Sequence, residues 1–154
     1  MHGRVVLTSG YFDPIHSGHL ECLELASEYA AKNNASLLVI VNNDCQAVLK
    51  KGKPFMSEGE RLKIVKALRC VGNAVVAIDR DSSVCESIRD CISKYNVVAF
   101  AKGGDRFSSE IPEAKICSEA GVAIVDGLGL KIQSSSSLIA AAADSSVPTP
   151  VPTA

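Results

Sequence analysis

The sequence predicts an α/β fold in which about five parallel strands are flanked by helices, forming a single Rossmann-like domain. Five short runs are apolar and rich in β-branched residues, which is typical of strands covered on both faces of a sheet. These runs lie at residues 5–7, 37–41, 74–78, 97–101 and 122–125. A stretch with helical spacing of its apolar residues follows each run, and this alternation favours βαβ units and a parallel sheet.

Helices are predicted at residues 20–31, 60–68, 83–95 and 112–120, with a short last helix at about residues 136–143. In the first helix, Leu20 and Leu23 fall on one side and Glu21 and Glu24 on the other, the pattern of a helix packed against a sheet. Ligands in such folds bind at the carboxyl ends of the strands, where the strand order reverses. We therefore expect the functional residues directly after strands.

Length and composition predict one ordinary domain and a short tail. The chain has 154 residues, of which 47% are hydrophobic and 21% charged, so a core can form without a disulfide or a structural metal. We assign residues 1–143 to the domain. The Ser-, Pro- and Thr-rich segment 144–154 can bury little apolar surface and is expected to be disordered.

Charge and cysteine content argue against several classes of protein. A formal net charge of -1 gives no reason to expect a nucleic acid or an anionic membrane as partner. The chain has no apolar run of about 18 residues and does not start like a secretory signal. Its six cysteines are widely spaced without a CxxC pair, which predicts free thiols, mainly small core residues, in a reducing compartment. A cytoplasmic location is therefore expected.

The segment SGYFDPIHSGH, residues 9–19, follows the first strand and opens the first helix. We expect Gly10 to take a backbone conformation that other residues avoid, and Gly18 to let the backbone approach a ligand. The free N–H groups of a helix N-terminus form an anion site suited to phosphate. His16 and His19 lie on the same side of this turn, where two imidazoles can stabilise charge on a phosphoryl group.

Three further segments carry candidate functional residues. A basic run after the second strand contains Lys50, Lys51 and Lys53. The loop after the fourth strand contains Lys102, Gly103, Gly104 and Asp105. A serine cluster before the last helical stretch contains Ser134, Ser135, Ser136 and Ser137.

Taken together, HSGH, KKGKPFMSEGERLKIV, FAKGGDRFSSEIPE and KIQSSSSLI resemble, in order, four motifs of the cytidylyltransferase-like nucleotidyltransferase family. The third segment is similar to the KGGD loop of the sugar-phosphate members, especially the heptose-phosphate nucleotidyltransferases, and the chain's short length also resembles the glycerol-phosphate enzymes. The similarity covers about residues 4 to 140. It implies an enzyme in which a phosphate of the second substrate attacks the α-phosphorus of a nucleoside triphosphate directly, releasing pyrophosphate.

The resemblance also implies roles for residues. His16 and His19 would bind and stabilise the α- and β-phosphates. One lysine of the basic run would contact both the triphosphate and the acceptor phosphate, and we favour Lys51 and Lys53 over Lys50. The nucleotide would be bound by Gly10, Tyr11, Phe12, Asp13, Gly18, Lys102, Gly103, Gly104, Asp105, Ser134, Ser135, Ser136 and Ser137.

A divalent ion, Mg²⁺, is expected to neutralise the triphosphate, without protein ligands that we can name. Asp13 either orients the loop or contacts the ligand. Arg69 has a counterpart in the family, but the aspartate that many members have after it is here either replaced by Asn73 or displaced. A nucleotide contact and a structural salt bridge are therefore alternatives for Arg69. Lys131 stands where the family often has an arginine.

Several alternatives for function and assembly stay open. The leading interpretation is a CTP-dependent cytidylyltransferase acting on a small phosphorylated alcohol or sugar phosphate. The alternatives are an ATP-dependent adenylyltransferase and a non-catalytic nucleotide-binding protein of the same fold. Many relatives are dimers, so both a monomer and a homodimer are compatible with the resemblance. A zinc site lacks a third ligand beside the two histidines, and a dinucleotide site lacks GxGxxG.

Overall fold

The computed structural model describes residues 3–102 and 112–125, and over these ranges it confirms the predicted alternation of strands and helices. The elements in chain order are β1 (Arg4–Gly10), α1 (Ser17–Lys32), β2 (Ser36–Val41), α2 (Asp44–Lys51), α3 (Glu58–Ala67), β3 (Asn73–Val76), α4 (Cys85–Lys94), β4 (Asn96–Ala101), α5 (Glu113–Ala120) and β5 (Ala123–Val125).

The five strands form one parallel sheet in the order β3-β2-β1-β4-β5. The chain therefore runs outward from β1 to β3, crosses back, and runs outward again from β4 to β5. The crossing makes the adjacent carboxyl ends of β1 and β4 the point where strand order reverses, and ligands bind at such points in open α/β sheets. Tyr11 follows β1 and Lys102 follows β4 at this edge.

Apolar side chains are buried on both faces of the sheet, which explains the continuous apolar runs in the sequence. On one face, Leu38 and Ile40 of β2 belong to a core cluster with Ile88 of α4. On the other face, Val39 belongs to a second cluster with Val65 of α3. Because alternate residues of one strand face opposite helices, both faces of the central strands are covered.

Helix α2, which carries Lys50 and Lys51 of the basic run, was not predicted. Only Gln46 and Ala47 of this helix are buried, so it lacks the apolar stripe that signals a helix. Polar contacts form its start instead: the Asn43 side chain accepts from the Gln46 N–H at 2.8 Å, and the Gln46 side chain accepts from the Asn43 N–H at 3.0 Å. Gly52, with φ of 84°, ends the helix in the left-handed region. The N-x-x-Q spacing is the signal that was overlooked.

The structure also shifts some predicted boundaries. Helices α1 and α3 begin earlier than predicted because the side chains of His16 and Ser57 cap them. The predicted last helix at 136–143 and the tail 144–154 lie outside the described residues.

All six cysteines are free. Burial raises the pKa values of Cys91 and Cys117 to about 11, as expected for inert core thiols. Cys45 is exposed and Cys22, Cys70 and Cys85 are partly exposed, so the expected core role is confirmed only for Cys91 and Cys117. No helix within residues 3–102 and 112–125 is long and apolar enough to cross a membrane.

Candidate active site

Two histidine side chains cap the N-terminus of α1. The Nδ1 atom of His16 accepts a hydrogen bond from the Gly18 N–H at 3.1 Å, and the Nδ1 atom of His19 accepts one from the His16 N–H at 3.2 Å. A neutral imidazole has one donor and one acceptor nitrogen, so these bonds place the proton of each neutral ring on Nε2. The backbone thus selects the tautomer in which both histidines present an Nε2–H donor.

The two imidazoles lie against each other at the start of the helix. Their ring centroids are 3.9 Å apart with an interplanar angle of 27°, and Phe12 contacts the ring of His19 edge-on at 5.3 Å. His16 is exposed, whereas His19 is partly buried. Burial, the largest cause, together with the nearby His16 and Lys50, lowers the pKa of His19 below its ordinary value of 6.5. His19 is therefore neutral at physiological pH.

The glycines of this segment make room for rings. The expectation that Gly10 takes an unusual backbone conformation is wrong, because the residue with a left-handed backbone is Phe12, with φ of 53°. A Cβ atom at Gly10 would lie 2.8 Å from the Phe12 ring, and one at Gly18 would lie 2.9 Å from the His16 ring. Small residues are needed at both positions so that these rings can pack beside the helix start.

Asp13 holds the loop after β1. Its carboxylate is 0% exposed, pairs with the Nζ atom of Lys51 at 2.8 Å, and accepts from the N–H groups of Phe55 and Met56 at 2.8 and 2.6 Å. Burial tends to raise the pKa of Asp13, but the bonds from Lys51, Phe55 and Met56 outweigh it and hold the pKa below its ordinary range. Of the two roles considered for Asp13, the structure therefore supports the orienting one.

The three lysines of the basic run have different surroundings. Lys51 donates to the carboxylate and to the backbone oxygen of Asp13. The Nζ atom of Lys50 lies 4.3 Å from the centroid of the Tyr11 ring. Lys53 is exposed and makes no hydrogen bond or ion pair with the described residues. The charge of Lys50, the lysine that we ranked behind the other two, contributes to lowering the pKa of His19.

Arg61 is a further important residue that was not singled out as part of the site. Its side chain is buried and donates to the backbone oxygens of Met56 at 2.9 Å, Tyr11 at 2.9 Å and Asn42 at 2.5 Å. It also pairs with the carboxylate of Asp44 at 2.8 Å. The sequence contained one signal for this role. Arg61 lies at a position of α3 where the helical spacing predicts a buried residue, and a buried charged residue needs a partner.

The predicted loop after β4 is only partly described. Lys102 is buried at the carboxyl end of β4, and its N–H donates to the oxygen of Val125 at 2.9 Å. It follows β4, which pairs with β1. The other residues predicted in this loop and in the serine cluster lie outside the described residues: Gly103, Gly104, Asp105, Ser134, Ser135, Ser136 and Ser137.

Arg69 lies away from this site. It is exposed, lies between α3 and β3, and therefore belongs to the amino-terminal edge of the sheet, opposite the histidines. In the described part of the chain it forms no salt bridge. Asn73 opens β3 and its side chain accepts from the N–H of Ala74. Neither alternative considered for Arg69 is supported by this position.

Comparison with known proteins identifies similar sequences. Residues 7–142 match the family model described as cytidylyltransferase-like. The bifunctional protein HldE of Streptomyces coelicolor is 32% identical over 93% of this chain, which spans 29% of that protein. The FAD synthase of Methanopyrus kandleri is 35% identical over 53% of this chain and 54% of its own length. The FAD synthase of Methanocorpusculum labreanum is 29% identical over 88% of this chain and 93% of its own length.

Comparison with solved structures supports the fold. The lipopolysaccharide core biosynthesis protein from Thermoplasma volcanium matches with a TM-score of 0.62 and 23% identity, over 79% of this chain and 93% of that one. At this identity the likeness concerns the arrangement of strands and helices. The chain spans less than a third of the HldE protein and about half of the Methanopyrus enzyme.

The lowered pKa of His19 predicts an acid-sensitive contribution to stability. The folded protein disfavours protonation of His19, so this contribution is fully present above the ordinary pKa of 6.5 and is lost as the pH falls through the lower folded pKa. NMR titration of the imidazole should give a His19 pKa below 6.5. The variant His19→Asn keeps an acceptor near the Nδ1 position without titrating, so its free energy of unfolding should fall less between pH 7 and pH 5. Equal losses in both proteins would contradict the assignment.

Replacing Arg61 should destabilise the fold. Arg61→Met leaves three backbone oxygens without their donor, and we expect the free energy of unfolding to fall by about 3 kcal/mol or more in urea denaturation followed by circular dichroism. Arg69→Met is the matched control, since Arg69 is exposed, and its effect should stay within about 0.5 kcal/mol. Equal effects of the two substitutions would show that the buried contacts of Arg61 contribute little.

Proposed function

The chain belongs to the cytidylyltransferase-like family, and we propose that it is a nucleotidyltransferase that joins a nucleoside triphosphate to a small phosphorylated substrate. The observation that carries the proposal is the histidine pair. Two imidazoles, each accepting a backbone N–H bond at Nδ1, present Nε2–H donors at the N-terminus of α1, beside the edge of the sheet where strand order reverses. The dipole of α1 also favours an anion at the same place.

This geometry suits direct phosphoryl chemistry. In the proposed reaction a phosphate oxygen of the acceptor forms a bond to the α-phosphorus, and the bond from that phosphorus to the bridging oxygen of the β-phosphate breaks. Pyrophosphate leaves with the electron pair. The Nδ1 atoms of His16 and His19 are occupied by backbone N–H groups, so these rings act as hydrogen-bond donors to phosphate oxygens and do not act as bases. Catalysis then consists of positioning and charge stabilisation.

We propose CTP as the nucleotide, on the match to the cytidylyltransferase-like family model. We propose a small alcohol phosphate or sugar phosphate as the acceptor, on the similarity of the KGGD segment to that of the sugar-phosphate members and of the chain's length to the glycerol-phosphate enzymes. An ATP-dependent adenylyltransferase is the second candidate. It is favoured by the likeness to proteins named FAD synthase, because FAD contains an adenylyl group joined to a flavin phosphate. Both reactions use the same donors at the α-phosphate and differ in contacts to the base.

A magnesium ion is proposed to accompany the triphosphate. The carboxylate of Asp13 is occupied by Lys51, Phe55 and Met56, so it is not available as a ligand in this arrangement. No cluster of three metal-binding side chains occurs among residues 3–102 and 112–125. The ion would therefore be bound mainly through phosphate oxygens, where it neutralises charge.

We also propose a cytoplasmic location, on the sequence alone. Both a monomer and a homodimer are compatible with the resemblance to the family.

The decisive experiment is a screen for pyrophosphate release. CTP and ATP are each incubated with Mg²⁺ and one of a panel of phosphorylated alcohols, sugar phosphates and flavin mononucleotide. We expect release with one nucleotide and one class of acceptor, and little release when either is omitted. Binding of a nucleotide without release for any pair would instead support a non-catalytic nucleotide-binding protein.

Loss of one Nε2–H donor should slow turnover without unfolding the protein. In His19→Asn the side-chain oxygen can still accept from the His16 N–H, so the helix cap is retained while the distal donor is lost. We expect kcat to fall by about 100-fold or more, the usual effect of removing a transition-state donor. Thermal melting at pH 8 checks that the variant is folded. Near-normal turnover of the folded variant would refute the role of His19.

A further inference from the structure

Two clefts adjoin at the carboxyl end of β3, and Ile78 and Arg80 line both of them. The first, of about 420 Å³, extends to Cys45 in the first turn of α2, and the second, of about 400 Å³, extends to Cys85 at the start of α4. The carboxyl ends of parallel strands form the edge of the sheet at which α/β proteins bind ligands. The clefts therefore lie at the same edge as the histidine pair, two strands away from β1.

Arg80 brings an unpaired charge to the clefts. Its side chain is exposed and forms no hydrogen bond or ion pair within residues 3–102 and 112–125. The loop 77–83 that carries it has a fixed backbone, because the buried Asn43 side chain donates to two of its backbone oxygens at 2.9 Å and the buried Gln46 side chain to two others at 2.7 Å. A guanidinium group held in this way can donate paired hydrogen bonds to a planar group that carries oxygen acceptors.

Exposed apolar side chains lie at the same edge of the sheet. The large apolar side chains that are exposed in the described part of the chain are Val48, Leu49, Phe55 and Ile78, and all of them belong to the segments after β2 and β3. Val48 and Leu49 follow the exposed Cys45 at helical spacing, so the three form one stripe on α2 that begins in the first cleft. Exposed apolar surface next to a cleft is typical of a binding site.

Helix α2 runs from the clefts to the loop after β1. Its first turn lines a cleft through Cys45, and at its other end Lys51 pairs with Asp13 of that loop. The eight residues of α2 span about 12 Å. A ligand with its phosphate at the histidine pair and its other end at Arg80 therefore has to be about as long as this helix.

Length and lining together select one class of phosphorylated acceptor. Glycerol phosphate is shorter than α2. A sugar phosphate has many hydroxyl groups and little apolar surface to cover Ile78 and the stripe on α2. In a flavin phosphate, the ribityl chain separates the phosphate from a three-ring system that is apolar at one end and carries carbonyl oxygens at the other. An apolar side chain beside a guanidinium group matches such a ring.

We propose that these clefts bind the ring of a flavin phosphate acceptor, with Ile78 against the apolar part of the ring and Arg80 donating to its carbonyl oxygens. The proposal rests on the nucleotidyl transfer proposed above, and among the acceptors considered there it selects the flavin phosphate. Arg80 and Ile78 are specificity-determining residues in this proposal, because they bind the body of the acceptor and leave the reacting phosphates to the histidine pair.

Binding of flavin mononucleotide, measured by calorimetry with and without a non-hydrolysable nucleotide analogue, tests the site without requiring turnover. The native protein should bind flavin mononucleotide at least about tenfold more tightly than glycerol 3-phosphate, and Arg80→Met should lose about tenfold in affinity for the flavin. Arg69→Met is the matched control, since Arg69 is exposed at the opposite edge of the sheet, and it should bind the flavin like the native protein. Equal affinities of Arg80→Met and the native protein would overturn the proposal.

Two variants test the apolar contact of Ile78. Ile78→Leu keeps the apolar surface and should bind flavin mononucleotide like the native protein, whereas Ile78→Ala should bind it several-fold more weakly. Because Ile78 is 57% exposed, the Tm of both variants should stay close to that of the native protein. Equal flavin affinities of the two variants would contradict a contact between Ile78 and the ring.

Sedimentation separates a flavin ligand from a second copy of the chain as the occupant of the clefts. We expect the native protein and Ile78→Asp to have the same oligomeric state. A native dimer that dissociates in Ile78→Asp, together with no binding of flavin mononucleotide by the native protein, would show that a second chain covers the clefts and would overturn the proposal.

Failure of this proposal can be told apart from failure of the proposed function. If flavin mononucleotide binds in an Arg80-dependent manner but no pair of nucleotide and acceptor releases pyrophosphate, the flavin site stands and the transferase activity does not. If an alcohol phosphate or a sugar phosphate supports pyrophosphate release and flavin mononucleotide does not bind, the transferase activity stands and the flavin site is wrong.

Discussion

The buried guanidinium group of Arg61 is the constraint on which the site depends. It binds backbone oxygens of three separate segments and the carboxylate that begins α2. Burying a charged group is costly unless every donor is used, and the planar fork of arginine can serve several acceptors at once. The cost of burial is therefore offset only when the loops after β1 and β2 and the start of α3 lie in one arrangement. That arrangement also sets where Tyr11 and Lys50 lie.

A second buried charge completes the loop after β1. Asp13 is neutralised by Lys51 and by two backbone N–H groups, so the segment between β1 and α1 is tied to the residues that precede α3. The two charged groups and the buried ring of Phe12 together hold this loop in place. The histidine pair is then presented on a rigid helix start, and rigid presentation is what positioning catalysis requires.

Much of the fold follows from patterns that are local in sequence. The strands and most helices were predicted because apolar runs and helical spacing indicate which faces of an element are buried. This holds whichever element packs against those faces. The pairing of His16 with His19 was predicted because three residues along a helical turn bring side chains together. Helix α2 was missed because polar caps stabilise it, and Gly10 was misinterpreted because its neighbour is the ring of Phe12, whose position depends on the whole loop.

The sequence by itself determined the parallel α/β fold, its family and the two histidines, since periodicity and short motifs carry that information. Only the tertiary structure decided that Asp13 is occupied by Lys51, that Arg61 is buried among three carbonyl groups, and that Lys50 lies over Tyr11. The contact of Lys51 with Asp13 joins residues 38 positions apart, and that of Arg61 with Tyr11 joins residues 50 positions apart. Which of three neighbouring lysines meets which partner depends on the angle at which a helix lies on the sheet, and no local pattern encodes that angle.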